Sequence, residues 1–332
     1  MKVAVIYGGM SSEHEVSKVS GKNVIDNLDS KKYDIYPIFM GKDASFSIKG
    51  KTVKDIVGTL KKMDVVFPVL HGLYGEDGTI QGMLEILKIP YVGCNVLSSS
   101  ICMDKIYTKC ILNKANINQS KYIYIKNENI YVNDEFEEIE LQNDEIINLV
   151  EEKLKFPVFV KPSNSGSSVG VTKAENGPKL IEAIMNASIY DKKVLIEEAI
   201  NGKEVECAVL GNEKPKASTV GEILSAEEFY SYNAKYNNKE SKIKIPAGLS
   251  NEKINEIKRI AIKAFKATDC RGLARVDFFI QDKTDKVYLN EINTMPGFTQ
   301  ISMYPKLWSY EGLKYSELLD KLINLAIKEN EE

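Results

Sequence analysis

The chain has 332 residues, 43% of them hydrophobic and 27% charged, with a formal net charge of −3. That length accommodates two or three compact units rather than one small core, and the balance of charge excludes the basic footprint of a nucleic-acid binder. No apolar run approaches the ~18 residues of a membrane-spanning helix, and "MKVAVIYGG" meets its glycines too soon for a signal peptide, so a cytoplasmic protein without a membrane partner is expected.

From the N-terminus, the strand "KVAVIY" passes through "GGMSSEHEVS" into a helix that repeats Val16, Ser20, Val24 and Leu28 every four residues, and the strands "YDIYPIFM" and "MDVVFPVL" follow. Strand, glycine loop, helix and strand in that order predict a parallel α/β unit over residues 1–95. Its ligands belong beyond the carboxyl ends of the strands, where "GGMSSE" and "HGLYGEDG" fall. A second unit, residues 96–196, contains a helix near "MDKIYTKCILNKA" and the strand "FPVFVKP" before a glycine-rich loop. Within it the acidic stretch "KNENIYVNDEFEEIELQNDE" predicts a solvated hairpin or loop. A third unit, residues 197–332, carries a polar, tyrosine-rich loop within 225–246, the helix "NEKINEIKRIAIKAFKAT", and the strands "ARVDFFI" and "KVYLNEI". The five cysteines, Cys94, Cys102, Cys110, Cys207 and Cys270, are widely spaced without a CxxC pair, and predict buried thiols rather than a zinc site or a disulfide frame.

Two strands interrupt their apolar runs in the same way. Arg275 and Asp277 are i and i+2 in "LARVDFFI", and Glu291 and Asn293 are i and i+2 in "VYLNEINTMPGF", so each strand offers one polar pair to one face. If the strands pair, Asp277, Glu291 and Asn293 converge, and two carboxylates meeting out of water require a proton or a cation between them. Oxygen-only donors suit a hard ion such as Mg²⁺, which fills its remaining positions with water and substrate phosphates. The alternative is the solvent face of an edge strand. A P-loop sequence is absent. In its place "VKPSNSGSSVG" puts Lys161 at a strand end, followed by Gly166, Ser167, Ser168 and Gly170, either a tight hairpin or an anion cradle of backbone N–H groups and hydroxyls. Lys105 is a second candidate cation. "VLIEEAINGKEVE" reads as a strand edge that leaves Glu197 exposed at a hinge where a purine can bond to backbone.

Ser12 and Glu15 have the spacing of a capping box, which leaves Glu13 free in the first turn to accept a ligand ammonium. His71 ends an apolar strand and opens a run with Gly72, Gly75 and Gly78, consistent with a structural histidine or with backbone approaching a small ligand. The loop "EEFYSYNAKY", with Phe229, Tyr230, Tyr232, Lys235 and Tyr236, lacks apolar periodicity and reads as a lid over a charged ligand or as surface aromatics against another subunit.

These motifs together resemble one family, the D-alanine:D-alanine ligases of the ATP-grasp superfamily. The resemblance runs from "GGMSSEHEVS" through "VLHGLYGEDGTIQG", "MDK", "VKPSNSGSSVG", "LIEEAINGKEVE", "FYSYNAKY" and "RGLARVDFF" to "NEINTMPGFTQISMYPKLW", and so covers nearly the whole chain. It implies a three-unit ATP-grasp architecture, α/β in the N-terminal unit and α+β in the ATP-grasp part. It also implies ATP between the second and third units, with Lys105, Lys161 and Ser168 near the phosphates and Glu197, Ala199, Ile200, Glu204 and Phe229 around adenine and ribose. Asp277, Glu291 and Asn293 would hold two Mg²⁺ ions, with Mn²⁺ as the alternative and a monovalent cation left open. Phosphoryl transfer to a first D-alanine would give an acyl phosphate, which the amine of a second D-alanine attacks. The resemblance assigns Glu13, Val16, His71 and Gly72 to the first amino acid, and Arg275 and the Gly297 N–H to the tetrahedral oxyanion. Ser167 and Tyr236 would join Glu13 in a hydrogen-bonded set, and Lys235, Tyr236, Ser302 and Met303 would receive the second D-alanine. Met303 and Tyr236 match the D-alanine-specific type rather than relatives using D-serine, the alternative acceptor. Gln300 and "SNSG" depart from the usual pattern. A homodimer is the family's usual state.

Overall fold

A computed structural model describes residues 1–224 and 242–329, so Phe229, Tyr230, Tyr232, Lys235 and Tyr236 lie outside the described residues. The chain begins with β1 (Lys2–Gly8), α1 (His14–Asn27), β2 (Asp34–Met40), β3 (Phe46–Ile48), β4 (Lys51–Thr52), α2 (Ile56–Leu60), β5 (Val65–Val69) and α3 (Thr79–Leu87). β1 pairs in parallel with β2 and β5, while β3 and β4 add an antiparallel edge, in the order β4-β3-β2-β1-β5. Val3 to Ile6 and the whole of β5 are buried, as strands covered on both faces must be. α1 lies on this sheet with Val16, Ser20 and Val24 inward. Gly21 is needed at that contact, because a Cβ there would collide with Tyr7.

Two helices, α4 (Val96–Met103) and α5 (Lys105–Lys114), lead into β6 (Tyr122–Lys126), β7 (Ile130–Val132), β8 (Glu138–Glu140), α6 (Asn143–Lys153), β9 (Val158–Pro162), β10 (Thr172–Ala174), α7 (Gly177–Ser188) and β11 (Lys193–Glu198). These strands form an antiparallel sheet in the order β10-β9-β11-β6-β7-β8, with Val150 of α6 and Leu180 and Ile184 of α7 in its core. The acidic stretch is the β7–β8 hairpin at the sheet's edge, and β8 is exposed throughout.

The remaining elements are β12 (Gly202–Leu210), β13 (Lys216–Leu224), β14 (Lys242–Lys244), α8 (Asn251–Ala267), β15 (Leu273–Gln281), β16 (Val287–Asn293), α9 (Met303–Tyr310) and α10 (Tyr315–Glu329). Their antiparallel sheet has the order β14-β13-β12-β15-β16. α8 packs Ile257, Ala261, Ala264 and Phe265 into a core shared with Cys102 and Leu112 from α4 and α5. α9 and α10 fill the space between this sheet and the first, where Tyr304, Leu307 and Leu318 meet Val3 and Phe67.

Two local expectations change. The helix α1 starts at His14 with Glu13 as its cap residue, so Ser12 and Glu15 do not form a capping box; Glu15 is exposed and pairs with Lys18 at 2.8 Å. Ser11 does the tying instead, donating to the His71 carbonyl at 2.6 Å and accepting from the Glu13 N–H at 3.1 Å. Four of the five thiols are buried, whereas Cys110, on α5 beside the Tyr122 hydroxyl, is only half-buried.

Candidate active site

The register of β15 and β16 builds the centre. Arg275 stands opposite Asn293 and Asp277 opposite Glu291, and immediately beyond this pair the ladder slips so that Phe278 faces Leu289. Such an irregularity re-aims the side chains next to it. Arg275 Nε and Nη2 donate to the two Asp277 oxygens at 2.7 and 2.6 Å, Glu206 Oε2 lies 3.0 Å from Arg275 Nε, and Asn293 Nδ2 donates to Asp277 Oδ2 at 2.9 Å. Burial disfavours the Arg275 guanidinium, but Asp277 and Glu206 outweigh that effect and hold its pKa well above the ordinary value. Glu206 gave no signal in the sequence, since it sits on β12 opposite Asp277 and only sheet pairing brings it to Arg275.

Two cavities meet at this centre. The larger, of about 520 Å³, lies between the second and third sheets and is lined by Lys161, Ser168, Ile200, Glu204, Asp277 and Phe279 among others. Its size suits a nucleotide-sized ligand. The smaller, of about 50 Å³, faces the first sheet and is lined by Glu13, His71, Glu76, Arg275, Asn293 and Gly297 among others. Lys105, Ser165, Gly166, Ser167 and Glu291 border both.

The loop after β9 reaches across the junction. Ser167 Oγ donates to Glu13 Oε1 at 2.5 Å, and a Cβ on Gly166 would stand 2.7 Å from the same oxygen, so glycine is required for this approach. Lys105 Nζ donates to the Ser165 carbonyl at 2.5 Å, and burial pulls its ammonium pKa down. Asp104 anchors the loop's start: it caps α5, accepts from Ser163 Oγ at 2.5 Å and from the Asn164 amide at 3.2 Å, and pairs with Lys193.

Glu197 is buried at 3% exposure, against the expectation of an exposed strand edge. β11 is an interior strand, with Glu197 paired to Phe159 on one side and Tyr122 on the other. Its carboxylate accepts from Lys109 at 2.7 Å, Lys161 at 2.6 Å and Ser120 Oγ at 2.6 Å. Burial opposes ionisation of Glu197, but the two ammoniums prevail and lower its pKa. Lys109 is a buried lysine the sequence reading passed over; its signal was the i, i+4 spacing from Lys105, which puts both on one helix face.

His71 is buried, with Nδ1 3.0 Å from the Met295 carbonyl, Nε2 3.0 Å from Ser20 Oγ, and Glu76 Oε1 3.6 Å from Nδ1. Glu76, also passed over although it lies within "HGLYGEDG", has its pKa pushed up to about 7 by burial, against the opposing pull of His71. Several expected residues stand outside the lining of both cavities. Val16 is buried against the sheet under α1, and Gly72 is a left-handed turn residue whose Cβ would lie 3.6 Å from Glu13 Oε1. Ala199 follows β11 half-buried. Ser302 accepts from the Thr299 N–H at 3.0 Å, and its Oγ would be 2.7 Å from a Cβ on Gly297. Met303 is buried in the core beside Gly221.

Asp277, Glu291 and the Asn293 amide form an oxygen-donor set, and a half-turn of the amide would present its oxygen. Among the described residues no cluster of three or more His, Cys, Asp or Glu could hold a metal. Two carboxylates plus one amide fit a hard cation that takes few protein ligands.

The three-sheet, mixed α/β architecture is that of the ATP-grasp ligases. A family model described as D-ala D-ala ligase N-terminus matches residues 2–57 and 51–94, and one described as D-ala D-ala ligase C-terminus matches residues 111–324. The D-alanine–D-alanine ligase of Clostridium acetobutylicum is 50% identical, over 99% of this chain and 98% of that protein. The solved structure of the D-alanine–D-alanine ligase of Bacillus anthracis complexed with ATP superposes with a TM-score of 0.80 at 33% identity, covering 100% and 99% of the two chains. That of the VanG D-Ala:D-Ser ligase of Enterococcus faecalis has a TM-score of 0.84 at 37% identity, covering 98% and 99%. The chain belongs to the D-alanine–D-alanine ligase family.

Proposed function

We propose that this enzyme is an ADP-forming ligase that joins two D-alanine molecules at the expense of ATP, for peptidoglycan precursor synthesis in the cytoplasm. The observation that carries the reading is the cross-strand pair Asp277 and Glu291, set between a nucleotide-sized cavity and a small one edged by Glu13 and Arg275. Lys105, Lys161 and Ser168 bind the phosphates. Glu197 acts by holding Lys161, and Ala199, Ile200, Glu204 and Phe229 surround adenine and ribose. Asp277, Glu291 and Asn293 would hold two Mg²⁺ ions, which when bound neutralise charge on the terminal phosphates.

Glu13 orients the ammonium of the first D-alanine, with Val16, His71 and Gly72 behind it. The carboxylate of that D-alanine then takes the γ-phosphoryl group and becomes the acyl phosphate. Arg275 and the Gly297 N–H stabilise the oxyanion formed when the second amine attacks, because donors aimed at developing charge lower that barrier. Lys235, Tyr236, Ser302 and Met303 receive the second amino acid, Met303 from behind the cavity wall. Ser167 links Glu13 to the phosphate loop. A homodimer is the assembly we assign. The division at residues 1–95, 96–196 and 197–332 separates first-substrate binding from the two parts of the nucleotide cleft.

D-Serine as acceptor is the less favoured reading, since relatives near half identity carry the D-alanine–D-alanine ligase name. Incubation with ATP, Mg²⁺, D-alanine and D-serine together, followed by mass analysis of the product, separates the two. D-alanyl-D-alanine is expected in excess. Predominant D-alanyl-D-serine would overturn the acceptor assignment, and ADP release without any dipeptide would overturn the ligase reading.

A further inference from the structure

Three thiols gather where α4 meets the base of the C-terminal sheet. Cys102 Sγ lies 3.8 Å from Cys270 Sγ, and Cys94 donates to the Arg271 and Leu273 carbonyls at 3.4 Å. None of them has a part in the chemistry above. Cys102, in the last turn of α4, lines the smaller cavity beside Lys105. Cys270 is buried behind it between α8 and β15, with Thr268 Oγ1 3.2 Å from its sulfur. A solute entering the cavity therefore meets Cys102 first. The contact with Cys102, joined by burial, keeps the Cys270 thiol protonated well above its ordinary range, so Cys270 is disfavoured as the first sulfur to meet peroxide.

We propose that Cys102 and Cys270 are a redox pair that a hydroperoxide converts to a disulfide, and that this bond switches the enzyme off. With hydrogen peroxide, the Cys102 sulfur attacks one peroxide oxygen, the O–O bond breaks, water leaves, and Cys102 becomes a sulfenic acid. The Cys270 sulfur then attacks the Cys102 sulfur. The S–O bond breaks and the departing hydroxide takes the Cys270 proton as a second water. Two thiols thus lose two protons and two electrons to one peroxide.

The sulfurs must close from 3.8 Å to about 2.05 Å, so the end of α4 is drawn toward β15. Lys105 follows Cys102 by three residues and Arg275 follows Cys270 by five, so the bond displaces groups on both sides of the small cavity. Occupancy of that cavity shields Cys102. The formation of the bond is read by mass, so it is tested whether or not the ligase reading holds; the loss of activity rests on that reading.

The test treats the full chain with a small molar excess of hydrogen peroxide, blocks remaining thiols, and maps peptides by mass while ADP release with D-alanine is followed. A linked Cys102–Cys270 peptide lacking two hydrogens is expected. ADP release should fall at least about tenfold, as a small misplacement of reacting groups permits, and return with dithiothreitol. Prior addition of ATP, Mg²⁺ and D-alanine should slow the linkage. Cys270→Ser should keep its ADP release through the same treatment, and Cys94→Ser should link as the wild type does. A bond involving Cys94, Cys102 left unlinked, or linkage with undiminished ADP release would each overturn the proposal.

Discussion

Ser167 Oγ and Glu13 Oε1 are 2.5 Å apart although 154 positions separate the two residues. One lies on the loop after β9 and the other caps α1, so this hydrogen bond ties that loop to the start of α1. In Ser167→Ala the Glu13 carboxylate loses its partner. The loss should cost about 2 kcal/mol, or roughly thirtyfold in kcat/KM for D-alanine, with the Kd for ATP unchanged. Steady-state kinetics paired with nucleotide titration checks this. An equal loss in both measurements would mean that the serine serves the phosphates instead.

Glu291 borders both cavities and faces Asp277 across the strand pair. Glu291→Gln keeps its shape and removes the charge a divalent ion needs. ADP release should fall by more than about a hundredfold, with an unchanged melting temperature. Full activity in this variant would remove the cation assignment.

Lys109 is buried beside Glu197, which it shares with Lys161. Lys109→Met strands part of a buried carboxylate's charge, and urea unfolding should report a loss of about 3 kcal/mol. Adding Glu197→Gln to that variant should recover part of it, because the stranded charge is then gone. A loss below about 0.5 kcal/mol would mean that Lys161 and Ser120 suffice.

Glu76 and His71 tie stability to pH. Burial pushes the Glu76 pKa from 4.5 up to about 7; burial pulls the His71 pKa down, yet Glu76 beside it prevails and the histidine is also raised. The folded protein therefore holds protons that the unfolded chain releases. That stability is full below pH 4.5 and is lost as pH rises through about 7. Unfolding free energy should fall by up to about 3 kcal/mol between about pH 5 and pH 8. Glu76→Gln should flatten that slope, and a pH profile identical to the wild type would exclude Glu76 as its source.

The sequence was most readable where a local rule operates. Alternation in "LARVDFFI" and "VYLNEINTMPGF" put Arg275 with Asp277 and Glu291 with Asn293 on single faces, and the antiparallel register then set Asp277 against Glu291. The four-residue repeat of α1 and the acidic hairpin β7–β8 follow from the same kind of reasoning. The capping box fails because the turn is tied by Ser11 rather than Ser12: the Ser11 hydroxyl is held by the His71 carbonyl in the loop just after β5.

Backbone periodicity and residue chemistry thus determine the strands, the main helices and the polar pairs Arg275 with Asp277 and Glu291 with Asn293, since each depends on spacings of a few residues. Only the tertiary structure decided that Glu197 is an interior, doubly paired carboxylate and that Glu206 reaches Arg275. It also decided that Cys102 faces Cys270, while the Glu13–Ser167 contact follows the family resemblance rather than any local spacing. The reason is physical. A side chain's burial and charge partners depend on which strands become neighbours and how far the layers approach, and those are properties of the packed sheets rather than of any local stretch of chain.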